Sequence, residues 1–257
     1  MFKVVIPARF ASTRLPGKAL LPIAGKPMIQ WVHERATESG AEEIWIATDD
    51  QRVVDACGKF GAAVMLTSPA HASGTDRIAE VATRNGWGER EIVVNVQGDE
   101  PLLPQLLIRQ VAELVVTNPL AGVATLATPI RSLAEFLDPN VVKVARAPDN
   151  RALYFSRAPI PWTRDGALSG FATQSRFDGA LRHLGLYAYR VEALMRLAAL
   201  PPSDLEVTEK LEQLRALENG IAIAVGVTQQ VPGPGVDTPA DLERVARLVA
   251  DERGGRP

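Results

Sequence analysis

Short apolar runs alternate along the chain with longer segments whose apolar positions recur every three or four residues. The first run, Val4-Val5-Ile6, is continuous and β-branched rather than alternating, the pattern of a strand covered on both faces. Strand-like segments at 3–7, 43–47, 63–67 and 92–96 are interleaved with helix-like segments at 28–38, 51–60 and 75–83. That alternation predicts an α/β protein with a parallel sheet and right-handed crossovers. In 104–118, Leu107, Val111, Leu114 and Val115 recur at helical spacing, and 123–128 reads as a further strand. Between 129 and 178, Pro139, Pro148, Pro159 and Pro161 break the pattern, which predicts a smaller inserted lobe with short antiparallel strands. The α/β pattern returns at 186–189, 191–200, 208–219, 221–227 and 239–251, and only the tail at 251–257 reads as frayed. With no clean linker, 1–257 is expected to be one domain, with about 129–190 as its smaller lobe.

Composition narrows the function more than the fold. A chain of 257 residues with 46% apolar content can bury a substantial core. Its net charge of -2 gives no global attraction to nucleic acid or to an anionic membrane, so small molecules are the expected partners. The single cysteine, Cys57, excludes an internal disulfide framework, and its apolar neighbours Val53, Val54 and Phe60 assign it to core packing. The start lacks the charged and apolar regions of a signal peptide, and no apolar run approaches bilayer length; a cytoplasmic location is the expectation.

Arg9, Arg14 and Lys18 follow directly on the first strand, at five- and four-residue intervals, in a segment broken by Ser12, Pro16 and Gly17. A loop at the carboxyl end of a parallel strand faces the crevice where open α/β sheets bind ligands. Three cations there suit a triphosphate, because Arg grips phosphate oxygens with a planar fork and Lys adds a mobile point charge; a solvated basic loop is the alternative. Gly17-Lys18 lacks the other residues of a Walker A loop and no G-x-G-x-x-G follows the strand, which disfavours a P-loop ATPase and a dinucleotide dehydrogenase.

The strand at 92–96 ends in Gln97-Gly98-Asp99-Glu100-Pro101, which places Asp99 in the same crevice. A carboxylate there suits Mg²⁺, which shares phosphate oxygens with one or two protein acids. Asp237, in Gly235-Val236-Asp237-Thr238-Pro239, is the natural second ligand, but from this segment alone ordinary capping of the last helix by Asp237 or Thr238 is the preferred reading. Asp49 and Asp50, after the strand, carry the same ambiguity, with a turn ahead of the helix at Gln51 as their plain reading. Ser73 and Gly74 offer a hydroxyl and close backbone approach to a nucleobase edge, although Thr75 alone would serve as the helix N-cap. His183 and Tyr187 alternate with Gly185 on one face of a strand and suit either a polyhydroxylated ligand or a half-buried satisfied pair. Glu212 and Gln213 lie beside the buried positions Leu211, Leu214 and Leu217 of a predicted helix, where a solvated face is the plain reading.

Taken in order, Ile6-Pro7-Ala8-Arg9, Ser12-Thr13-Arg14-Leu15-Pro16-Gly17-Lys18, Gly25-Lys26-Pro27-Met28, Ala47-Thr48-Asp49, Ser73-Gly74-Thr75, Val94-Asn95-Val96-Gln97-Gly98-Asp99-Glu100-Pro101, Tyr154-Phe155-Ser156-Arg157, Arg182-His183-Leu184-Gly185, Leu211-Glu212-Gln213-Leu214-Arg215 and Gly235-Val236-Asp237-Thr238-Pro239 closely resemble the 3-deoxy-manno-octulosonate (Kdo) cytidylyltransferases, the CMP-Kdo synthetases. The likeness spans almost the whole chain; the first motif is shared more loosely with CMP-sialate synthetases. The resemblance implies a nucleotide-diphospho-sugar transferase fold, a mostly parallel twisted sheet with a smaller lobe that helps form a homodimer. It implies the reaction of CTP with Kdo to give CMP-Kdo and pyrophosphate, with Mg²⁺, for lipopolysaccharide assembly. Carried over by matching motif, Arg9, Arg14 and Lys18 would hold the triphosphate and Ala8, Ser73, Gly74 and Gln97 would surround the cytidine. Asp99 and Asp237 would bind Mg²⁺, which reverses the capping preference at Asp237. Arg157, His183, Tyr187, Glu212 and Gln213 would form the sugar pocket, with Arg157 set to pair with the Kdo carboxylate, whereas Asp49 matches a motif without an assigned role. The rivals are transfer to 8-amino-Kdo or a sialic acid, and a non-catalytic nucleotide-sugar sensor.

Overall fold

The computed structural model describes residues 1–11, 15–166 and 173–254. In chain order its elements are β1 (Lys3–Pro7), β2 (Pro22–Ile23), β3 (Lys26–Pro27), α1 (Met28–Glu38), β4 (Glu43–Thr48), α2 (Gln51–Gly58), β5 (Ala63–Leu66), α3 (Gly74–Arg84), β6 (Ile92–Asn95) and α4 (Gln105–Thr117). There follow β7 (Val123–Pro129), α5 (Leu133–Leu137), β8 (Lys143–Arg146), β9 (Ala152–Ser156), β10 (Leu181–Arg190), α6 (Val191–Ala198), α7 (Asp204–Glu209), α8 (Gln213–Glu218), β11 (Ile223–Val227) and α9 (Pro239–Gly254). The main sheet runs β11-β7-β10-β6-β1-β4-β5, with β8 joined to β10 and β9.

The expected parallel half is present. β1 pairs in parallel with β4 and β6, and β4 with β5, so their carboxyl ends open on one side. β10 runs antiparallel to β6 and β7, which brings its amino-terminal half to that same side. Side-chain alternation sorts the core into two layers. Val4 and Ile6 face α1, α2 and α4, where Ile29, Val32, Cys57 and Leu107 are buried, whereas Val5 faces α3 and α6 with Ile78, Val81 and Leu194. Cys57 is buried, as the sequence predicts, and burial pushes its thiol up to about 11.

Two expectations are corrected. The helix predicted over 208–219 is two short helices, because a capping box of Ser203 and Glu206 starts α7 early and Lys210 ends it in the left-handed region at φ 55°. The strand predicted at 186–189 begins at Leu181, and a bulge between Leu184 and Tyr187 interrupts its pairing with β7. The short antiparallel strands expected between 129 and 178 exist as β8 and β9, and they grow from the main sheet through the pairing of Lys143 with Arg182.

A third apolar cluster positions the carboxyl-terminal part of the chain. Val236, Val245 and Val249 pack on Ile23, Met28 and Trp31, so α9 docks across α1 and β2. Met28 is fully buried there. Met28→Ala should therefore cost about 2–5 kcal/mol of stability; urea denaturation measures this, and a loss below about 0.5 kcal/mol would show that the cluster does not hold α9.

Candidate active site

The strand ends converge on a cleft of about 340 Å³ lined by Ala8, Arg9, Lys18, Gly74, Gln97, Asp99 and Asp237. These seven include every residue the sequence assigned to triphosphate, base or metal except Ser73 and Arg14, and Arg14 lies outside the described residues. The cleft floor is a close meeting of two strand exits. Ala8 N donates to Ala47 O at 2.8 Å, and a Cβ at Gly98 would stand 2.8 Å from Pro7 O, so only glycine lets the segment after β6 come so near. Arg9, on the rim, donates from Nη2 to His71 O at 2.6 Å.

Lys18 joins the two predicted acids. Its Nζ donates to Asp99 Oδ2 at 2.6 Å, to Asp237 Oδ1 at 3.1 Å and to Val236 O at 3.3 Å. Burial works to lower the ammonium's pKa, but Asp99 and Asp237 outweigh it and the net shift is upward, which fixes Lys18 as a cation at neutral pH. Asp237 reaches the site because Val236 is buried in the α9 cluster and donates its N–H to Asp99 O at 2.9 Å. The competing capping role belongs to its neighbour. Thr238 Oγ1 accepts from Asp241 N at 3.2 Å and Asp241 Oδ2 accepts from Thr238 N at 3.0 Å, a reciprocal box that leaves the Asp237 carboxylate directed at Lys18.

The oxygens around Lys18 are hard donors of the kind Mg²⁺ takes, and that ion needs only one or two carboxylates when water and phosphate oxygens complete its shell. Among the described residues no group of three or more His, Cys, Asp or Glu side chains is arranged to hold a metal. Two acids in a cleft therefore fit an ion that shares its shell with a nucleotide, and do not fit an all-protein cage.

Ser73 is the N-cap of α3, which corrects the assignment of that role to Thr75: Ser73 Oγ accepts from Asp76 N at 3.1 Å, and Asp76 Oδ2 accepts from Ser73 N at 2.9 Å. Gly74 opens the helix and lines the cleft, so the helix N-terminus faces the cleft. Asp50 likewise caps α2, accepting from Arg52 N at 2.9 Å, in keeping with its predicted turn.

Four of the five residues predicted for the sugar lie together beside the cleft. The β10 bulge sets His183 and Tyr187 with ring centroids 5.4 Å apart, and Phe155 meets His183 edge-on at 4.9 Å. Thr125 Oγ1 lies 3.0 and 2.8 Å from the carbonyls of Leu184 and Leu186 and 2.9 Å from His183 Nε2. The one hydroxyl proton serves the carbonyls, so Nε2–H donates to Thr125 and Nδ1 remains an acceptor. Burial lowers the His183 pKa to about 3, which keeps the ring neutral.

Glu212 is close enough to the Tyr187 and Tyr189 phenols to raise their pKa further after burial has done so. Burial also raises the Glu212 carboxyl, against the hydroxyls of Thr75 and Ser73 and the charge of Arg215. Glu212 Oε1 and Gln213 Nε2 are buried with no hydrogen-bond partner, which corrects the solvated-face reading. An acceptor and a donor kept from water in adjacent residues are costly unless a polar ligand completes them. Arg157, the fifth, is tied to backbone partners: its Nε donates to Glu209 O at 2.7 Å and its Nη1 to Pro139 O at 3.0 Å.

Glu100 was missed. It lines a second cavity of about 460 Å³ with Arg182, His183, Gly235 and Arg244. Burial, followed by the Asp99 charge, pushes its carboxyl up to about 7. A Glu directly after the expected metal ligand was the available signal.

Two cations, two acids and a helix N-terminus gathered at one cleft beside the ends of parallel strands suit a nucleotidyl-transferring class of site. The family model described as Cytidylyltransferase matches residues 3–223. Proteins named 3-deoxy-manno-octulosonate cytidylyltransferase are 57% identical in Thioalkalivibrio sulfidiphilus, over 96% of this chain and 98% of the relative, and 53% identical in Halorhodospira halophila, over 98% of each. A solved structure of CMP:2-keto-3-deoxy-manno-octonic acid synthetase complexed with CTP superposes with a TM-score of 0.87 at 44% identity, covering 98% of this chain and 100% of that one. The chain belongs to the 3-deoxy-manno-octulosonate cytidylyltransferase family. Among the described residues no helix is long and apolar enough to cross a membrane.

The depressed pKa of His183 has a defined sign. The folded state resists protonation, so its contribution to stability is full above the unfolded value near 6.5 and is lost as pH falls from there toward about 3. Nuclear magnetic resonance of the imidazole should show a neutral Nε2–H tautomer throughout pH 5 to 8. Titration of His183 near its ordinary value would contradict the assignment.

Proposed function

We propose that the protein transfers the cytidylyl group of CTP to the anomeric hydroxyl of Kdo, forming CMP-Kdo and releasing pyrophosphate. The observation that carries this is the meeting of Asp99 and Asp237 at Lys18, 2.6 and 3.1 Å from Nζ, in the cleft that Arg9 also lines. The names of the relatives support the choice of substrates.

In-line attack at the α-phosphorus asks the protein to align two anions and to neutralise charge. Arg9 and Lys18 would hold the triphosphate, with Arg14 assigned the same task by motif. Ala8, Ser73, Gly74 and Gln97 would frame the cytidine. On the sugar side, neutral His183 offers an acceptor at Nδ1, Glu212 Oε1 a second acceptor and Gln213 Nε2 a donor, a set that matches the hydroxyls of a polyol. Tyr187 would flank the ring, and Arg157 would pair with the sugar carboxylate. Asp99 and Asp237 would hold Mg²⁺, which when bound supplies Lewis acidity at the phosphate oxygens and lowers the pKa of a coordinated hydroxyl. A cytoplasmic homodimer, with CMP-Kdo feeding lipopolysaccharide assembly, completes the proposal.

Pyrophosphate release should require CTP, Kdo and Mg²⁺ together, and should be near background with ATP, GTP or UTP. Asp99→Asn should remain folded by circular dichroism and lose at least about a hundredfold in kcat. Unimpaired release by that variant would remove Asp99 from the mechanism. A panel of CTP with 8-amino-Kdo and a sialic acid separates the related transfers; tight CTP binding with no release for any sugar would leave a nucleotide-sugar sensor instead.

A further inference from the structure

Asp49 does not cap α2 and does not line the nucleotide cleft. Its carboxylate lies between a buried guanidinium and the backbone of the cation-bearing segment. Arg77 is 0% exposed and donates from Nη2 to Asp49 Oδ2 at 2.9 Å. Its other terminal nitrogen, Nη1, donates to Thr67 Oγ1, just beyond the end of β5. Asp49 Oδ1 in turn accepts the Phe10 N–H at 3.3 Å. The main-chain ladder between β1 and β4 ends with Ala8 N to Ala47 O, so the next bond across the two strand exits is made by a side chain.

Phe10 is then held at every part. Its carbonyl accepts from Gly17 N at 3.0 Å, which ties Phe10 directly to Gly17. Its ring packs over Gly17, where a Cβ would come within 3.1 Å of Phe10 Cζ and where φ is +67°. The Arg52 guanidinium covers the ring at 3.5 Å from its centroid. Arg9 directly precedes Phe10 and Lys18 directly follows Gly17, so the tie sets the origin of both cations that line the cleft.

We infer that Asp49, braced by Arg77, is a positioning residue for cytidylyl transfer: it fixes Phe10 and through the Phe10–Gly17 tie sets Arg9 and Lys18 for the CTP triphosphate. A buried ion pair is poor evidence for stability by itself, because desolvation offsets the Coulombic gain and an apolar pair of similar volume often does as well. Here the pair supplies something an apolar pair cannot, a fixed acceptor for a backbone N–H. Arg77 also sits on α3, whose first residue Gly74 lines the cleft, so one guanidinium ties that helix to the segment that carries Arg9 and Lys18.

The inference rests on CTP being the nucleotide bound. Two variants test it. Asp49→Asn keeps the side chain's size and weakens its hold on Arg77 and on Phe10 N. Asp49→Ala combined with Arg77→Met removes both charges, leaving no buried guanidinium unpaired, and still deprives Phe10 N of its acceptor. CTP affinity is measured by calorimetry with Mg²⁺ and no sugar, KM values for CTP and Kdo by pyrophosphate release, and the midpoint of thermal unfolding for each protein.

The expected result is that both variants bind CTP about tenfold or more weakly, with KM for CTP rising in step and KM for Kdo within about twofold of the parent. A lowered unfolding midpoint with unchanged CTP affinity and KM, or an equal rise in both KM values, would overturn the positioning role. If Asp49→Asn does not fold, the double variant decides alone. Failure of the parent enzyme to release pyrophosphate from CTP and Kdo would overturn the proposed reaction, whereas the calorimetric comparison would still decide the role of Asp49.

Discussion

Two carboxylates in one cleft repel each other, and a cation between them offsets that repulsion. The ammonium of Lys18 meets this constraint for Asp99 and Asp237, residues 81 and 219 positions away from it in the chain. The surrounding architecture serves that meeting. Gly98 allows the segment after β6 to press on Pro7, and the buried Val236 carries Asp237 across from the far end of the sequence. A triphosphate brought to this place would compete for Lys18, and Arg9 stands ready on the same rim. The proposed Mg²⁺ would then compensate the two acids as the lysine turns to phosphate.

The sheet divides the labour. The parallel strands β1, β4, β5 and β6 end on one side and deliver cations, acids and a helix N-terminus there. The antiparallel β10 delivers neutral polar groups, because its bulge points His183 and Tyr187 into one group and Thr125 fixes the histidine tautomer. Arg9 and Asp99 thus follow parallel strands, whereas His183 and Tyr187 sit on a strand of opposite direction, and Asp237 and Glu212 come from outside both.

The parallel strands, most of the helices and the residues lining the cleft were legible in the sequence, because continuous β-branched runs, Gly and Pro breaks and acids just past strand ends are local signals. Asp237 shows where local reading stops. Its segment looked like a helix cap, and only the long-range docking of α9 directs the carboxylate to Lys18 while Thr238 and Asp241 make the cap. Arg77 carried no signal, since a guanidinium inside a helical pattern reads as a solvated face until the fold buries it. The break at Lys210 was likewise hidden, because helical spacing begins directly after it in Leu211, Leu214 and Leu217 and a lysine does not mark a left-handed stop as glycine would.

The convergence of Asp99 and Asp237 is tested most directly by diffraction from crystals grown with CTP and Mn²⁺, using the anomalous signal of manganese to locate the ion. The account predicts a peak within coordination distance, about 2.0–2.3 Å, of a carboxylate oxygen from each acid, with Lys18 Nζ moved onto a phosphate oxygen. A peak bound by neither acid, or Lys18 still bridging both with the nucleotide in place, would contradict it.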